Sequence, residues 1–375
     1  MKIKKNILLV YHHSGTPGGP AARFNNYLRE RHNIFIVQHP LWANKNLFSI
    51  IKSQDREKRF KIKHFQFFLE SLFTLHYLPK MTKYNQIDLA ICFDPLSFFH
   101  TYILKHFLKI KKIVYYNIDY SRTRFGNKFL NRIYRTINIF AYKRCDYFFS
   151  LTKKFIEDTD PEEKFDYKNY FVKNLVDTKG INLKANKIKN SIVYAGSINW
   201  NMDFNSLFIA LKKLKDENIN FILDIYGGEK PDNNFLKTIK RLNLQKNIFL
   251  RGAVDNKELT EKILPKYNIG VSPYMTKNNP LAHDHMLWGN DLSAKLVEYL
   301  AAGLPTITTK NDFFSSIEKN KLGFLVENSE EWYKNLKKLL KNKTLYKKYQ
   351  NNALKYSKNY DQEKILNPIF KKILN

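Results

Sequence analysis

The feature that most limits how this chain can fold is a series of short apolar runs, each stopped by Gly, Pro or a polar residue. Asn6 to Tyr11, Ile34 to Val37, Asp88 to Phe93 and Lys112 to Asn117 come first, and the run DYFFSLT around Phe148 follows. Ser191 to Ala195, Phe221 to Tyr226, Ile248 to Leu250, Ile269 to Ser272, Thr306 to Thr309 and Gly323 to Val326 repeat the pattern. Runs this short and this uniformly apolar suit strands buried on both faces of a parallel sheet. Helical stripes fill the intervals. Strand, turn, helix, strand is the opening of a doubly wound domain, so the expected class is α/β.

At 375 residues the chain exceeds one ordinary core and suits two domains. Between Asp177 and Asn190 the sequence turns polar and Lys/Asn-rich, which marks a linker, and a fresh strand follows it. The expectation is two doubly wound, Rossmann-like domains facing across a cleft: 1–182, 183–355, and a C-terminal helix, 356–375, packing back toward the first domain.

Lys and Arg total 64 against 34 Asp and Glu, a formal net charge of +30. Such a field attracts polyanions, sugar nucleotides or an anionic membrane surface, and does not choose among them. Basic residues are spread throughout and match no nucleic-acid-binding motif, so no nucleic acid is expected. Cys92 and Cys145 lie in apolar runs and read as buried thiols of a reduced cytosol, far from any zinc pattern. No stretch approaches a spanning helix, and NILLVY is too short for a signal-peptide core. The expected location is the cytoplasm, with a peripheral place at the inner face of the cell membrane as an option.

The first half offers a Gly-rich turn after its first strand, with His12, His13, Gly15, Gly18 and Gly19. It fits neither a Walker A loop nor GxGxxG, but it lets backbone N–H groups approach a ligand at a helix N-terminus. His12 and His13 stand at the strand's C-terminal end, where open α/β sheets keep their sites; adjacent residues point different ways, so at most one reaches a substrate. Lys58 to Lys83 carries Phe65, Phe68, Leu69, Leu72 and Phe73 at helical spacing with basic residues at both ends. It reads either as a core-facing helix or as an element that lies on a membrane. Asp119 ends a buried strand with Arg122 and Arg124 close by; it reads either as a general base or as a cap or ion-pair partner.

In the second half, Asp291 to Thr309 (DLSAKLVEYLAAGLPTITT) reads as a helix, a glycine stop and a β-branched strand. Leu292, Leu296, Tyr299 and Leu300 form its apolar stripe. Lys295 and Glu298, three apart, share a face: either a surface ion pair, or a cation for phosphate beside a carboxylate for ribose hydroxyls. His283, Asp284 and His285 are three neighbouring positions with no distant partner, a poor metal set.

Two α/β halves, a mid-chain linker and KLVEYLAAGLPTITT together resemble the GT-B glycosyltransferases, nearest to the retaining family 4, or group 1, type. IVYAGSINWNMDF, FILDIYGGE, NIFLRGAV and IGVSPY stand in that family's order. The resemblance implies that Glu298 takes the ribose hydroxyls of a donor nucleotide, and that Lys295 and Ser293 meet its diphosphate, with Asp291 beside them. It implies Gly196 and Ser197 as the phosphate loop, Gly252 and Val254 at the base, and Tyr274 near the donor. His12, Gly18, Gly19, Arg122 and Asp119 would face the acceptor. Cations and helix N–H groups suffice for a diphosphate leaving group, so neither metal nor cofactor is expected. Family 4 members carry a second Glu where this chain has Asn290, with Asp291 next to it. Retention and inversion both stay open, and Asp119 is the candidate base if the reaction inverts.

These readings make the chain a glycosyltransferase. It would use a nucleotide-sugar donor, UDP first, and a glycan or lipid-linked acceptor in bacterial surface polysaccharide synthesis. A GT-B-fold sugar-nucleotide epimerase and a basic nucleic-acid-binding protein are the alternatives.

Overall fold

The computed structural model describes residues 4–12, 19–40, 48–61, 66–82, 86–118, 124–199, 202–227, 231–275 and 292–374. It divides into two compact units, 1–173 with 365–375, and 174–364. The division lies ahead of the expected 182/183 boundary. Val176 and Ile181 pack into the second unit's core, and Val176 bridges to Asp361, so the segment after Asn174 belongs there. The C-terminal division is also later than 355/356, because Ala353 and Tyr360 are buried in that same core.

Among the described residues the first unit contains an eight-stranded sheet in the order β4-β3-β2-β1-β5-β6-β7-β8. Its elements are β1 (Asn6–His12), α1 (Gly19–Arg29), β2 (Asn33–His39), β3 (Ser49–Lys52), β4 (Glu57–Phe60), α2 (Gln66–Met81), β5 (Ile87–Cys92), α3 (Pro95–Leu104), β6 (Ile110–Asn117), α4 (Lys128–Arg144), β7 (Tyr147–Ser150), α5 (Lys154–Thr159) and β8 (Asn169–Phe171). Strands β1, β2 and β5 to β8 are parallel; β3 and β4 add an antiparallel edge. This edge corrects the helical reading of the stretch from Lys58. Lys58, Arg59 and Phe60 belong to a wholly exposed strand, and the helix starts only at Gln66. Cys92 and Cys145 are free and buried, and burial pushes both thiols up. The C-terminal residues complete the unit: Phe370 stacks on Tyr27 at 5.8 Å between ring centroids and meets Phe24 at 6.1 Å.

Among the described residues the second unit contains a six-stranded parallel sheet in the order β11-β10-β9-β12-β13-β14. The strands are β9 (Ser191–Ala195), β10 (Ile222–Tyr226), β11 (Ile248–Gly252), β12 (Ile269–Ser272), β13 (Thr306–Thr309) and β14 (Gly323–Val326). Its helices include α6 (Phe204–Asp216), α7 (Asn233–Arg241), α8 (Ala294–Ala301), α9 (Ser329–Lys341) and α10 (Lys343–Ser357), while α11 (Gln362–Leu374) runs from this unit's last residues into the segment that completes the first. Helix α8 and strand β13 realise the predicted helix–glycine–strand stretch. Leu292, Leu296, Tyr299 and Leu300 are fully buried. At the helix end Gly303 (φ +71°) donates to Leu300 O, and Leu304 donates to Tyr299 O. That paired closure uses the left-handed conformation glycine adopts without strain.

In each sheet the chain first winds one way from a central strand and then the other. The reversal lies between β1 and β5 in the first unit and between β9 and β12 in the second. At such a reversal the crossovers leave to opposite sides and a crevice opens beyond the strand ends. In the second unit β9 and β12 pair only at Ile192–Ile269 and Val193–Gly270. Past that point one hydroxyl spans the gap: Tyr299 accepts from Ala195 N at 2.7 Å and donates to Val271 O at 3.3 Å.

Candidate functional site

The second unit's reversal point gathers most of the predicted donor residues. Strand β9 runs out at Gly196 and Ser197, and β12 runs out toward Tyr274. Helix α8 starts at its N-cap, Ser293, and directs Lys295 between them. The Lys295 ammonium lies 3.2 Å from the Tyr194 hydroxyl, 4.7 Å from the Tyr194 ring centroid and 4.9 Å from that of Tyr274. It sits where a side chain on residue 196 would be: a Cβ on Gly196 would come within 2.9 Å of Nζ. Gly196 also has φ +150°, a conformation that strains any residue with a side chain, so glycine is favoured there by its backbone and a side chain would displace the ammonium. Burial opposes the charge on Lys295, yet Tyr274, Tyr194 and Glu298 around it raise its pKa. The site therefore holds a permanent cation flanked by two aromatic faces.

Ser293 does not cap the helix with its own hydroxyl. Instead it accepts from the Tyr274 hydroxyl at 2.8 Å, which leaves its O–H to donate elsewhere. The first turn of α8 thus carries amides that the Ser293 hydroxyl does not cap, together with Lys295, a combination that favours an anion. One turn on, Glu298 is 4% exposed and accepts from Asn256 Nδ2 at 2.9 Å. Asn256 follows Asp255, the N-cap of the short turn after β11, and Gly252 and Val254 lie just before it on the same strand exit. The predicted residues Gly196, Ser197, Gly252, Val254, Tyr274, Ser293, Lys295 and Glu298 thus all lie on exits from β9, β11 and β12 or on α8. Asp291, Asn290 and the His283–His285 triplet lie outside the described residues.

Tyr194 and Asn256 were missed by the sequence reading. Tyr194 looks like one more apolar strand residue. Its position two before Gly196, with its hydroxyl donating to Ser197 O at 2.6 Å, puts it under the same loop. Asn256 is a plain polar residue just past a strand end, the one cue that could have drawn notice.

The first unit's reversal point holds a different polar cluster. His12 ends β1 and Asp94 follows β5. Asp94 caps α3 by accepting from Ser97 N at 2.8 Å, and also accepts from His12 N at 2.8 Å. The His12 ring meets Ser97 Oγ at 3.0 Å through Nδ1 and Glu70 Oε2 at 3.5 Å through Nε2. His39 and His100 share Thr74 Oγ1 at 3.2 and 3.3 Å, and their rings stand 5.0 Å apart. Burial alone would push His12 down, but Asp94 and Glu70 outweigh it and raise it to about 9. His39 is held well below the usual value by burial and the neighbouring His100 and His12, and burial with the His12 charge lowers His100 to about 3. Burial would raise the Asp94 carboxyl, yet His12 and Ser97 lower it. The cluster is one imidazolium between two carboxylates, closed on itself. Among the described residues no set of three His, Cys, Asp or Glu is arranged to hold a metal ion. Gly19 opens α1, while Gly18, Asp119 and Arg122 lie outside the described residues.

Residues 176–356 match the glycosyl transferases group 1 family. The chain is 28% identical over 169 residues to a chitobiosyldiphosphodolichol beta-mannosyltransferase of Debaryomyces hansenii, a match covering 41% of this chain and 34% of that protein. It thus spans about a third of the length of that relative. Among solved structures, a glycosyltransferase from Rickettsia africae superposes with a TM-score of 0.67 at 16% identity, covering 99% of both chains. A mutant of S. aureus TarM, in complex with fondaparinux, alpha-GlcNAc-glycerol and UDP, superposes with a TM-score of 0.61 at 18% identity, covering 87% of this chain and 62% of that one. The group 1 domain and its partner unit together make the GT-B fold that the sequence led us to expect.

Proposed function

We propose that the protein is a glycosyltransferase that moves a sugar from a nucleotide-sugar donor, a UDP-sugar in the first instance, to a glycan or lipid-linked acceptor. The observation that carries this reading is the Lys295 ammonium at the β9–β12 reversal, set over Gly196 beside the α8 N-terminus. When the glycosidic bond to the donor breaks, negative charge builds on the departing diphosphate. A fixed ammonium, helix N–H groups and the Ser293 hydroxyl stabilise that charge where it develops. Glu298, with one oxygen held by Asn256, takes the ribose hydroxyls. Gly252 and Val254 line the base, and Tyr274 positions Ser293. No metal is needed for this division of labour.

The acceptor belongs to the first unit. Gly18, Gly19 and Arg122 approach it, and His12 holds the strand end from which that loop leaves. Asp119 serves as the base if the reaction inverts. A lipid-linked acceptor is supported by the name of the yeast relative, and a UDP donor by the UDP in the TarM complex. The Lys/Asn/Ile-rich sequence favours a bacterial surface polysaccharide as the product, made at the inner face of the cell membrane.

The test is a thermal-shift titration with UDP, GDP and a single-stranded oligonucleotide, followed by donor hydrolysis across a panel of sugar nucleotides. Stabilisation by UDP and release of UDP from one donor are expected. Stabilisation by the oligonucleotide alone would overturn the proposal.

A further inference from the structure

Helices α2, α3 and α4 lie side by side over the first unit's sheet. Phe67 of α2 meets Phe99 of α3 at 5.7 Å between ring centroids, and Phe140 of α4 meets Phe99 and Tyr102 of α3 at 5.9 and 5.3 Å. Such a layer ordinarily turns its apolar stripe inward and a mixed-charge face outward. This one departs in two respects. Large apolar side chains face out: Phe129, Leu130 and Ile133 on α4 are 69, 42 and 41% exposed, and Phe68 on α2 is 63% exposed. The layer also lacks surface acid. Helices α3 and α4 contain no Asp or Glu, and the single acid of α2, Glu70, is buried in the histidine cluster. Lys128, Arg132 and Arg135 are exposed and spaced four and three apart, so they line one side of the apolar residues on α4.

The second unit's helices show the ordinary pattern. There, Lys212 pairs with Asp216, and Lys213 and Lys334 both pair with Glu330. The contrast narrows the occupant. A second copy of a +30 chain would set one acid-free basic face against another. Single-stranded nucleic acid would use the basic stripe and Phe129, but Leu130 and Ile133 offer no ring for a base to stack on. Hydrocarbon bounded by phosphate matches both halves of the face.

We infer that the outer face of this helix layer, centred on the first two turns of α4, docks the protein on an anionic lipid bilayer. Phe129, Leu130 and Ile133 enter the boundary between headgroups and acyl chains, and Lys128, Arg132 and Arg135 meet lipid phosphates. The inference stands independently of the sugar-transfer reading.

The experiment is cosedimentation of the full chain with vesicles of phosphatidylcholine alone and with about one third phosphatidylglycerol. The chain is expected to bind the anionic vesicles and to release as salt is raised. Phe129→Ser with Leu130→Ser and Ile133→Ser leaves the charge unchanged and is expected to weaken binding about tenfold or more. Arg132→Glu with Arg135→Glu is expected to do at least as much. Lys237→Glu with Lys240→Glu on α7 removes the same charge from exposed positions of the second unit, and is expected to change binding less than about threefold. All these side chains are exposed, so unchanged circular dichroism and melting midpoint are expected, and the two α4 variants check each other. Equal loss in the α4 and α7 charge variants, wild-type binding by the serine variant, or equal binding to neutral vesicles would each overturn the inference. So would release of bound vesicles by an oligonucleotide at constant ionic strength, or self-association that the serine variant abolishes without any vesicle binding.

Discussion

The two units place ionisable groups at the same topological address, the C-terminal edge of a doubly wound sheet where strand order reverses. They treat those groups in opposite ways. At the β1–β5 reversal the His12 imidazolium has Glu70 and Asp94 against it, and both ring nitrogens are engaged. At the β9–β12 reversal the Lys295 ammonium touches a phenol hydroxyl and two ring faces, and the Glu298 carboxylate adds only its field to those contacts, the smallest of the influences that favour the charge. A charge matched by buried carboxylates is spent on the fold. A charge set against dipoles and quadrupoles keeps most of its attraction for an incoming anion. Position at a reversal point is thus shared by both clusters, and the sign and completeness of the compensation tell a binding site from a structural lock.

The sharpest way to break this comparison is to delete the cation at each address. Lys295→Ala is expected to lower kcat/KM for sugar transfer about a hundredfold or more with little change in melting midpoint. His12→Ala leaves the buried Glu70 carboxylate and the part-buried Asp94 carboxylate without their shared cation, so a loss of about 3 kcal/mol or more in stability is expected, with turnover per folded molecule nearly unchanged. Denaturant titration and steady-state kinetics on both variants decide it. The reverse outcome, a stability loss at 295 and a catalytic loss at 12, would exchange the two roles.

A second test uses pH. The pKa of His12 is raised, so its stabilising contribution is complete below the ordinary histidine value near 6.5 and is lost as pH climbs through about 9. Those of His39 and His100 are lowered, so their contributions are complete above 6.5 and are lost as pH falls, for His100 toward about 3; the lowered Asp94 carboxyl adds to that acid loss. The first unit's stability should therefore peak near pH 6.5 and decline on both sides by a few kcal/mol at most. Glu70→Gln should flatten the alkaline decline, as read from urea midpoints across pH. An unchanged alkaline limb would remove Glu70 from the account.

The smallest effect is expected at Asn256. Asn256→Ala removes one hydrogen bond to Glu298 without removing the carboxylate, so the KM for donor should rise about tenfold or less while kcat holds. An equal fall in kcat would move Asn256 from orienting Glu298 to acting on the reacting groups.

Much of the second unit was legible in the sequence because its signals are local. Apolar runs gave the strands, Gly303 and Pro305 fixed the end of α8, and Lys295 and Glu298 sit one turn apart on a helix whose other face is visibly core. The first unit was less open to reading. His12, His39 and His100 are far apart in the chain, and only the β1–β2 and β1–β5 pairings bring them together. The β3–β4 edge hid in Ser49 to Phe60, where charged residues fill an exposed strand and a helical stripe begins soon after. Tyr194 was obscured for another reason: an aromatic residue in a buried strand announces packing, and its hydroxyl end is seen only once the loop above it is placed.

Tyr299 shows what it takes to split a sheet. Parting β9 from β12 strands an N–H on Ala195 and a C=O on Val271, groups of opposite demand only a few ångströms apart. One phenol oxygen can accept from the first and donate to the second, and burial keeps its proton in place by raising its pKa well above the usual value. Phenylalanine would fill the same volume and meet neither need, and a carboxamide would require two correctly turned atoms. The opening in which Lys295 stands is therefore propped by a single oxygen, and the width of that opening is set by the reach of one side chain.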